Sequence, residues 1–146
     1  MVKDGMWLLT IRKSQAFVPT MARTQAGFYM GIDPVEVLDV SDRKAIEKAV
    51  VRVVTQGNPT VPTPTRDSFP EDPLLKAAKV GTLAAFEKSA QTWKLSKNYR
   101  GYSISPYRIG KHGGSEEDPV RTEAIPEHEP LEQVVRRLVE RATERV

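Results

Sequence analysis

The sequence predicts an α+β fold in which amphipathic helices pack on a mostly antiparallel sheet. The strand signal is clearest in residues 92–109, where Trp93 and Leu95, and later Tyr102 and Ile104, alternate with polar residues around a turn at 98–101. The helix signal comes from two segments in which apolar residues repeat at i, i+4, i+7 and i+8. These apolar seams are Ile46, Val50, Val53 and Val54 in the first segment, and Leu131, Val135, Leu138 and Val139 in the second.

Length and composition restrict the classes of protein. A chain of 146 residues is expected to form a single domain over 1–146. Its net charge of +3 comes from interleaved acidic and basic residues, which argues against direct nucleic-acid binding. Cysteine is absent, which excludes disulfides and fits a reducing compartment. The apolar run 6–11 is too short for a membrane span or a signal peptide. We therefore expect a cytoplasmic protein with no membrane partner.

The first part of the chain predicts short strands and one helix. Residues 6–13 form the first strand, and a second strand at 17–20 is interrupted by Pro19 before a polar loop at 21–27. Strands at 27–32 and 35–40 are separated by a turn at Asp33 and Pro34. Ser41 is expected to cap the following helix, and Gly57 to end it.

The middle of the chain predicts a bridge between two larger units. Five prolines between Pro59 and Pro73 require an extended connector. Asp72 and Pro73 then start a short helix, Gly81 breaks it, and Thr82 caps another.

The last part of the chain predicts the hairpin of residues 92–109, then a loop, a strand and a helix. Pro106 predicts a break or an edge in the hairpin. Residues 110–118 are expected to form a flexible loop and 120–125 a last strand, and Pro130 precedes the final helix.

The same order of signals occurs twice, which favours two similar β-rich halves, each closed by a helix. Each half opens with a strand that starts at a tryptophan, continues through a proline, and ends in an apolar seam. The residues are Trp7, Pro19 and Ile46 in the first half, and Trp93, Pro106 and Leu131 in the second. The halves would span 6–57 and 92–145, bridged by 58–91, with both tryptophans in the core.

No catalytic or metal-binding pattern is complete. His112, Gly113 and Gly114 resemble a glycine-rich oxyanion loop, but the chain lacks the G-x-S-x-G motif that such a loop needs. His112 precedes the acidic residues 116–118, and His128 lies between two glutamates, yet neither has the spacing of a known metal site. Phosphate-binding glycine motifs are absent. We expect no catalytic residue, no metal and no cofactor, with an unrecognised carboxylate or histidine site as the alternative.

Two acidic clusters and two tyrosines are candidate partner-binding residues. Acidic residues in loops can occupy a basic cleft on a partner protein, although they also serve solubility alone. The tyrosines flank basic residues at the turn and the exit of the hairpin, where they could form surface contacts. The candidates are Asp67, Glu71, Asp72, Glu116, Glu117, Asp118, Tyr99 and Tyr107.

Three segments carry a resemblance to a known family. They are GNPTVPTP at 57–64, FPEDPLLKAAKVGTLAAFEKSAQTW at 69–93, and, after a strand pair, IPEHEPLEQVVRRLVERA at 125–142. Together they resemble the immunity proteins of bacterial contact-dependent growth inhibition systems, over roughly the last two thirds of the chain.

The resemblance implies a small, cytoplasmic, non-enzymatic protein that binds and neutralises the C-terminal toxin domain of an effector exported by a neighbouring cell. The net positive charge departs from the acidic character that is common in partners of nuclease toxins. A small enzyme and a structural adaptor are the alternatives. A cavity that holds His112 or His128 beside carboxylates would favour the enzyme.

Overall fold

An antiparallel sheet forms the centre of the fold. The computed structural model describes residues 2–68, 70–110 and 115–144, and eight strands lie within these ranges. They are β1 (Gly5–Arg12), β2 (Gln15–Thr24), β3 (Tyr29–Asp39), β4 (Thr60–Val61), β5 (Ala90–Asn98), β6 (Gly101–Ile109), β7 (Ser115–Glu117) and β8 (Glu123–Pro126). Their spatial order is β3-β2-β1-β5-β6, and the outer side of β6 pairs with β8 and then with β7. The short β4 runs parallel to β2.

Helices cover both faces of this sheet. They are α1 (Arg43–Gln56), α2 (Pro73–Ala78), α3 (Leu83–Ser89) and α4 (Leu131–Thr143). The long helices α1 and α4 pack against each other and on one face, across β1, β2, β5 and β6. The α+β class with helices packed on an antiparallel sheet is therefore confirmed. None of the helices in the described ranges is long and apolar enough to cross a membrane.

The main core lies between the sheet and the helices α1 and α4. Both predicted apolar seams face it, and both tryptophans are buried in it, as the strand pattern indicated. The fully buried side chains of this core include Trp7 and Leu9 from β1, Leu95 from β5, Ile104 from β6, Ile46 and Val50 from α1, and Val135 and Leu138 from α4. Leu131, the first seam residue of α4, is only partly buried.

The centre of the sheet relates the two tryptophans by symmetry. In the antiparallel pair β1–β5, Trp7 lies opposite Leu95 and Leu9 lies opposite Trp93. A local twofold axis through the Leu8–Lys94 pair therefore exchanges the two tryptophans. On each side of this axis the chain continues through further strands to a long helix, α1 or α4, on the same face.

Three N-terminal expectations are wrong. β2 continues through Pro19 and the expected polar loop to Thr24, and β3 is one strand through the expected turn at Asp33 and Pro34. The pairing of β2 with β3 shifts register beside Pro19, so Asp33 and Pro34 have no paired residue in β2. The Asp33–Pro34 peptide bond is cis. The α1 helix is capped by Asp42 rather than Ser41, because the Asp42 carboxylate accepts a hydrogen bond from the Ala45 amide at 3.2 Å. Gly57 ends the helix as expected.

After the connector, the observed elements differ from the predicted ones at several points. Asp72 and Thr82 cap α2 and α3 as predicted, and the hairpin turns between β5 and β6 as predicted. However, β6 continues past Pro106, and the segment expected to be a loop contains β7. Residues 119–121 form a 3-10 turn, so the last strand begins only at Glu123. The connector contains β4 and another 3-10 turn, Arg66–Ser68. His112, in the expected loop, lies outside the described residues.

Candidate functional site

The face of the sheet opposite α1 and α4 is lined by polar side chains from distant parts of the chain. Thr10 of β1 lies opposite Thr92 of β5, and their hydroxyl oxygens are 2.9 Å apart. The same face continues through Ser105 and Tyr107 of β6 to Glu117 of β7, which pairs with Tyr107. Because alternate residues of a strand share a face, Lys94 lies on this face beside Thr92. We call this surface the second face.

The helices α2 and α3 cover one part of the second face. Phe17 of β2 points away from its neighbours Ala16 and Val18, which belong to the main core. Its ring contacts Phe86 of α3 edge to face, with 6.3 Å between the ring centroids. The part formed by β5, β6 and β7 lies beyond these short helices.

A charged network occupies the part that remains uncovered. The Lys94 ammonium forms an ion pair with Glu117, and the Ser105 hydroxyl donates to Oε1 of Glu117 at 2.9 Å. The hydrogen bond from Lys94, supported by the one from Ser105, lowers the pKa of Glu117 below its ordinary value, so this carboxylate is charged at neutral pH. The Lys94 side chain is 19% exposed, whereas that of Glu117 is 45% exposed. The network therefore presents a fixed carboxylate to solvent.

Tyr107 lies directly opposite Glu117 and is half-buried. Burial, and secondly the nearby Glu117 charge, raises the pKa of Tyr107 above its ordinary value, so its phenol is neutral. The side-chain amide of Gln91 donates to the backbone oxygen of Tyr107 at 2.8 Å and links β5 to β6 at this point.

A groove of about 330 Å³ runs along the second face between α3 and the β6–β7 pair. We call it the sheet-face groove. Its floor and its apolar wall consist of Leu8, Leu74, Leu83, Phe86, Thr92 and Tyr107. Leu83 is 51% exposed, so about half of its apolar surface is open to solvent at this groove. Asp72, Glu87 and Arg108 also border the groove.

Ion pairs fix the β6–β7 side of the groove. Nε of Arg108 lies 3.1 Å from Oε1 of Glu116, and its Nη1 lies 3.6 Å from Oδ1 of Asp118. Asp118 also accepts a hydrogen bond from the amide of Val120 at 3.1 Å. On the opposite side, Asp72 accepts the amide of Leu74 at 2.9 Å as the cap of α2. These contacts hold the polar side chains in place before any partner binds.

Two of the eight predicted partner-binding residues, Asp72 and Tyr107, line this groove. The acidic residues 116–118 do not line it but lie beside it: Glu117 is opposite Tyr107, and Glu116 and Asp118 pair with Arg108, which borders the groove. The acidic cluster 116–118 lies on and just after a strand, not in a loop, and each carboxylate has a cationic neighbour.

The other three predicted residues are not part of the groove. Asp67, in a 3-10 turn, and Glu71 are exposed, but neither lines it. Tyr99 is 75% exposed at the β5–β6 turn, at the opposite end of the hairpin. The Arg100 guanidinium lies 5.5 Å from the centroid of its ring.

Several groove residues carried no signal in the sequence. Leu8 and Thr92 come together only through the β1–β5 pairing, and Phe86 reaches them through the fold of α3. Nothing in the sequence distinguishes Lys94 from the other lysines. Its role follows from the strand pairing, which places Glu117 beside it. Only the alternation of β5 could have indicated that Thr92 and Lys94 share a face.

A second cavity holds His128. Lys97, Tyr102, Glu127, Val2 and Leu131 line it as well. Lys97 is 7% exposed, and its ammonium lies 3.6 Å from Asp4 and 3.5 Å from Glu127. Burial is the main cause that raises the pKa of Tyr102. The titratable side chains that line this cavity, Lys97, Tyr102, Glu127 and His128, are groups that can transfer protons.

No metal centre is found in the part of the chain that the structure describes. Among these residues no three His, Cys, Asp or Glu side chains are arranged to hold an ion. His112 itself lies outside the described residues, so the expectation that it binds no metal with the acidic residues 116–118 stays a prediction.

Comparison with known proteins gives a fold but no family. No family model matches the chain, and no curated protein matches it. The fold is shared with a protein of Neisseria meningitidis. This solved structure, described as a protein of unknown function, NMB0488, has a TM-score of 0.67 to the chain. The match covers 99% of this chain and 96% of that one at 13% sequence identity, so it shows similar architecture and carries no functional statement.

Proposed function

We propose that this chain is a non-enzymatic immunity protein that binds and neutralises the C-terminal toxin domain of a contact-dependent growth inhibition effector. The resemblance of its segments to such immunity proteins suggests the class of partner. The observation that carries the proposal is an open groove on a rigid sheet, with a half-exposed leucine and fixed charges at its border. A protein interface combines apolar anchors with a polar rim in this way.

The chemistry of the groove favours binding over catalysis. Ser105 is 1% exposed, and its hydroxyl already donates to Glu117. The Lys94 ammonium is engaged with the same carboxylate. A nucleophile needs access to the substrate and a base that is free to accept its proton. Side chains held in one arrangement lose little conformational entropy when a partner binds.

The proposal predicts that a toxic C-terminal domain is encoded immediately upstream of the gene for this chain, and co-expression of the two tests it. We expect the two proteins to co-purify and the chain to restore growth of cells that express the toxin. A toxin that kills equally well in the presence of the chain, with no complex recovered, would remove the proposal.

A single charge reversal tests whether the toxin domain binds beside the groove. Glu116→Lys removes the exposed ion pair with Arg108 and places a positive charge on the rim. We expect weaker toxin binding, by roughly tenfold, which is the loss expected for a contact that contributes more than most interface residues do. The thermal midpoint should change little because both partners of the pair are exposed.

The matched control for this reversal is Glu140→Lys on α4. Glu140 is exposed, has no ion pair with another described residue, and lies away from the groove. Equal affinity of the two variants for the toxin domain would exclude the rim around Glu116 from the interface.

A small enzyme is the second candidate, favoured by the cavity in which His128 lies beside Glu127, Lys97 and Tyr102. His128→Ala separates the two functions. An immunity protein that acts by binding at the groove should keep both its complex and its protection in this variant. Loss of protection with an intact complex would instead support chemistry at His128.

A further inference from the structure

We infer that the sheet-face groove receives a large apolar side chain of the partner that is flanked by basic residues. This inference rests on the proposed function for the kind of partner, a protein, and on the groove for the chemistry. It adds which segment of the partner would be recognised.

The apolar half of the inference follows from the lining. Leu8, Leu74 and Phe86 form a continuous apolar wall, and Leu83 at the opening leaves half of its surface in solvent. Burying that surface against a partner side chain is favourable, at about 25 cal/mol per Å² of apolar area. The volume of about 330 Å³ lies at the lower end of the range for ligand sites, roughly 300–1,000 Å³. One or two side chains fit such a space better than a large cofactor does.

The charge half of the inference follows from the carboxylates around the opening. Asp72 and Glu87 form no ion pair with another described residue. Glu116 and Asp118 share the single guanidinium of Arg108, while Glu117 is matched by Lys94. The border of the groove therefore carries an excess of negative charge, although the whole chain has a net charge of +3.

This local charge selects between partners. A segment with lysine or arginine beside its apolar anchor gains attraction to these carboxylates, and an acidic segment is repelled by them. The interaction involves exposed groups, so added salt should weaken it.

Three capped pentapeptides test the inference on the purified chain. The first has a central phenylalanine with two lysines on each side, the second replaces the lysines by glutamates, and the third replaces the phenylalanine by alanine. Backbone amide signals of Leu8, Leu83 and Thr92 report on the groove in NMR titrations. We expect shifts of these signals with the first peptide, reduced by salt, and little response to the other two.

Other outcomes of the titration overturn the inference. Equal shifts with the lysine and glutamate peptides would remove the charge selection, and equal shifts with phenylalanine and alanine would remove the apolar anchor. No shift with the first peptide, or shifts confined to another surface, would remove the groove as its site.

Two variants of the chain test the same inference by their affinity for the full toxin domain. Leu83→Ser removes the exposed apolar side chain at the opening, and Glu87→Lys reverses a charge at the border. Each should weaken the complex by roughly tenfold. Their controls are Val120→Ser, at a side chain that is 86% exposed and outside the groove, and Glu140→Lys.

The two proposals fail in distinguishable ways. If the wild-type chain binds and protects, but Leu83→Ser and Glu87→Lys bind as tightly as their controls, the groove inference is wrong and the immunity function stands. If the wild-type chain neither binds nor protects, the immunity function is wrong, and the peptide titration still decides what the groove recognises.

Discussion

At the scale of single residues, the lowered pKa of Glu117 makes the stability of the folded chain depend on pH. Its pKa is lowered in the folded chain by hydrogen bonds from Lys94 and Ser105, relative to an ordinary value of 4.5. A carboxylate with a lowered folded-state pKa binds protons more readily when the chain is unfolded. Its contribution is therefore complete above about pH 4.5 and is lost as the pH falls through the folded-state value.

Glu117→Gln should remove this contribution while preserving the shape of the side chain. We expect the free energy of unfolding at neutral pH to fall by about 1 kcal/mol or less, because the carboxylate is partly exposed and solvent screens the pair. Urea denaturation over a pH series should show a weaker loss of stability in acid for the variant than for the wild type. Glu140→Gln is the control, and parallel pH profiles of the wild type and Glu117→Gln would contradict the assignment.

The same residue limits which charge reversals can test binding. A reversal of all three charges at 116–118 would remove the ion pairs with Lys94 and Arg108. Because Glu117 contacts the largely buried Lys94, the triple reversal would also place two positive charges together on the sheet. Single changes at Glu116 are therefore the better probe of binding.

At the scale of elements, the β5–β6 turn depends on a glycine. Gly101 has a φ of 127°, and a Cβ atom there would lie 2.4 Å from the backbone oxygen of Ile125 in β8. Gly101→Ala should lower the free energy of unfolding by roughly 2 kcal/mol or more, through backbone strain and displacement of β8.

Urea denaturation of Gly101→Ala beside Gly81→Ala checks this expectation. Gly81 precedes α3 without a positive φ, and a Cβ atom there would meet no other atom within 4 Å. This control should be neutral or slightly stabilising. A Gly101→Ala variant as stable as the control would show that β8 does not depend on the close approach.

Elements with a strong local signal could be predicted from the sequence. The seams of α1 and α4 repeat with the helical period and were placed correctly on the core, and Asp72 and Thr82 cap their helices as predicted. The interruption predicted at Pro19 and the turn predicted at Pro34 are wrong, because a register shift accommodates both prolines and the strands continue. Pro106 does not break β6 either, but the pairing with β5 ends at this proline, which agrees with the edge predicted as the alternative.

The groove could not be predicted, because it has no local signal. β7 is a polar segment of three residues that becomes a strand only by pairing with β6. The pairs Thr10–Thr92, Lys94–Ser105 and Tyr107–Glu117 share one face only once four strands are in register. Sequence could indicate the acidic cluster, but not the arginine and lysine that neutralise most of it.

At the scale of the whole molecule, both long helices bury their side chains in one shared core. Ile46 of α1 is 0% exposed and Leu138 of α4 is 1% exposed, and both belong to the same cluster. The first and last parts of the chain should therefore unfold together, in one cooperative transition.

Ile46→Ala and Leu138→Ala should each lower the free energy of unfolding by about 2–5 kcal/mol, because each leaves a cavity in the common core. Far-ultraviolet circular dichroism, which follows secondary structure, and tryptophan fluorescence should give coincident denaturation curves in both variants. A variant that unfolds in two steps would mean that the two helices stabilise separate units.

The β1–β5 pairing also determines how the chain can reach its folded state. The hydroxyl contact between Thr10 and Thr92 joins residues 82 positions apart, whereas β1–β2 and β5–β6 are hairpins with short turns. Loop closure over such a distance costs more entropy than hairpin formation and slows folding. We expect the outer hairpins to form first and the joining of β1 to β5 to limit the rate. In stopped-flow experiments Thr10→Val should then slow refolding more than it speeds unfolding. That result would mean that the pairing at the centre of the sheet is the last one to form.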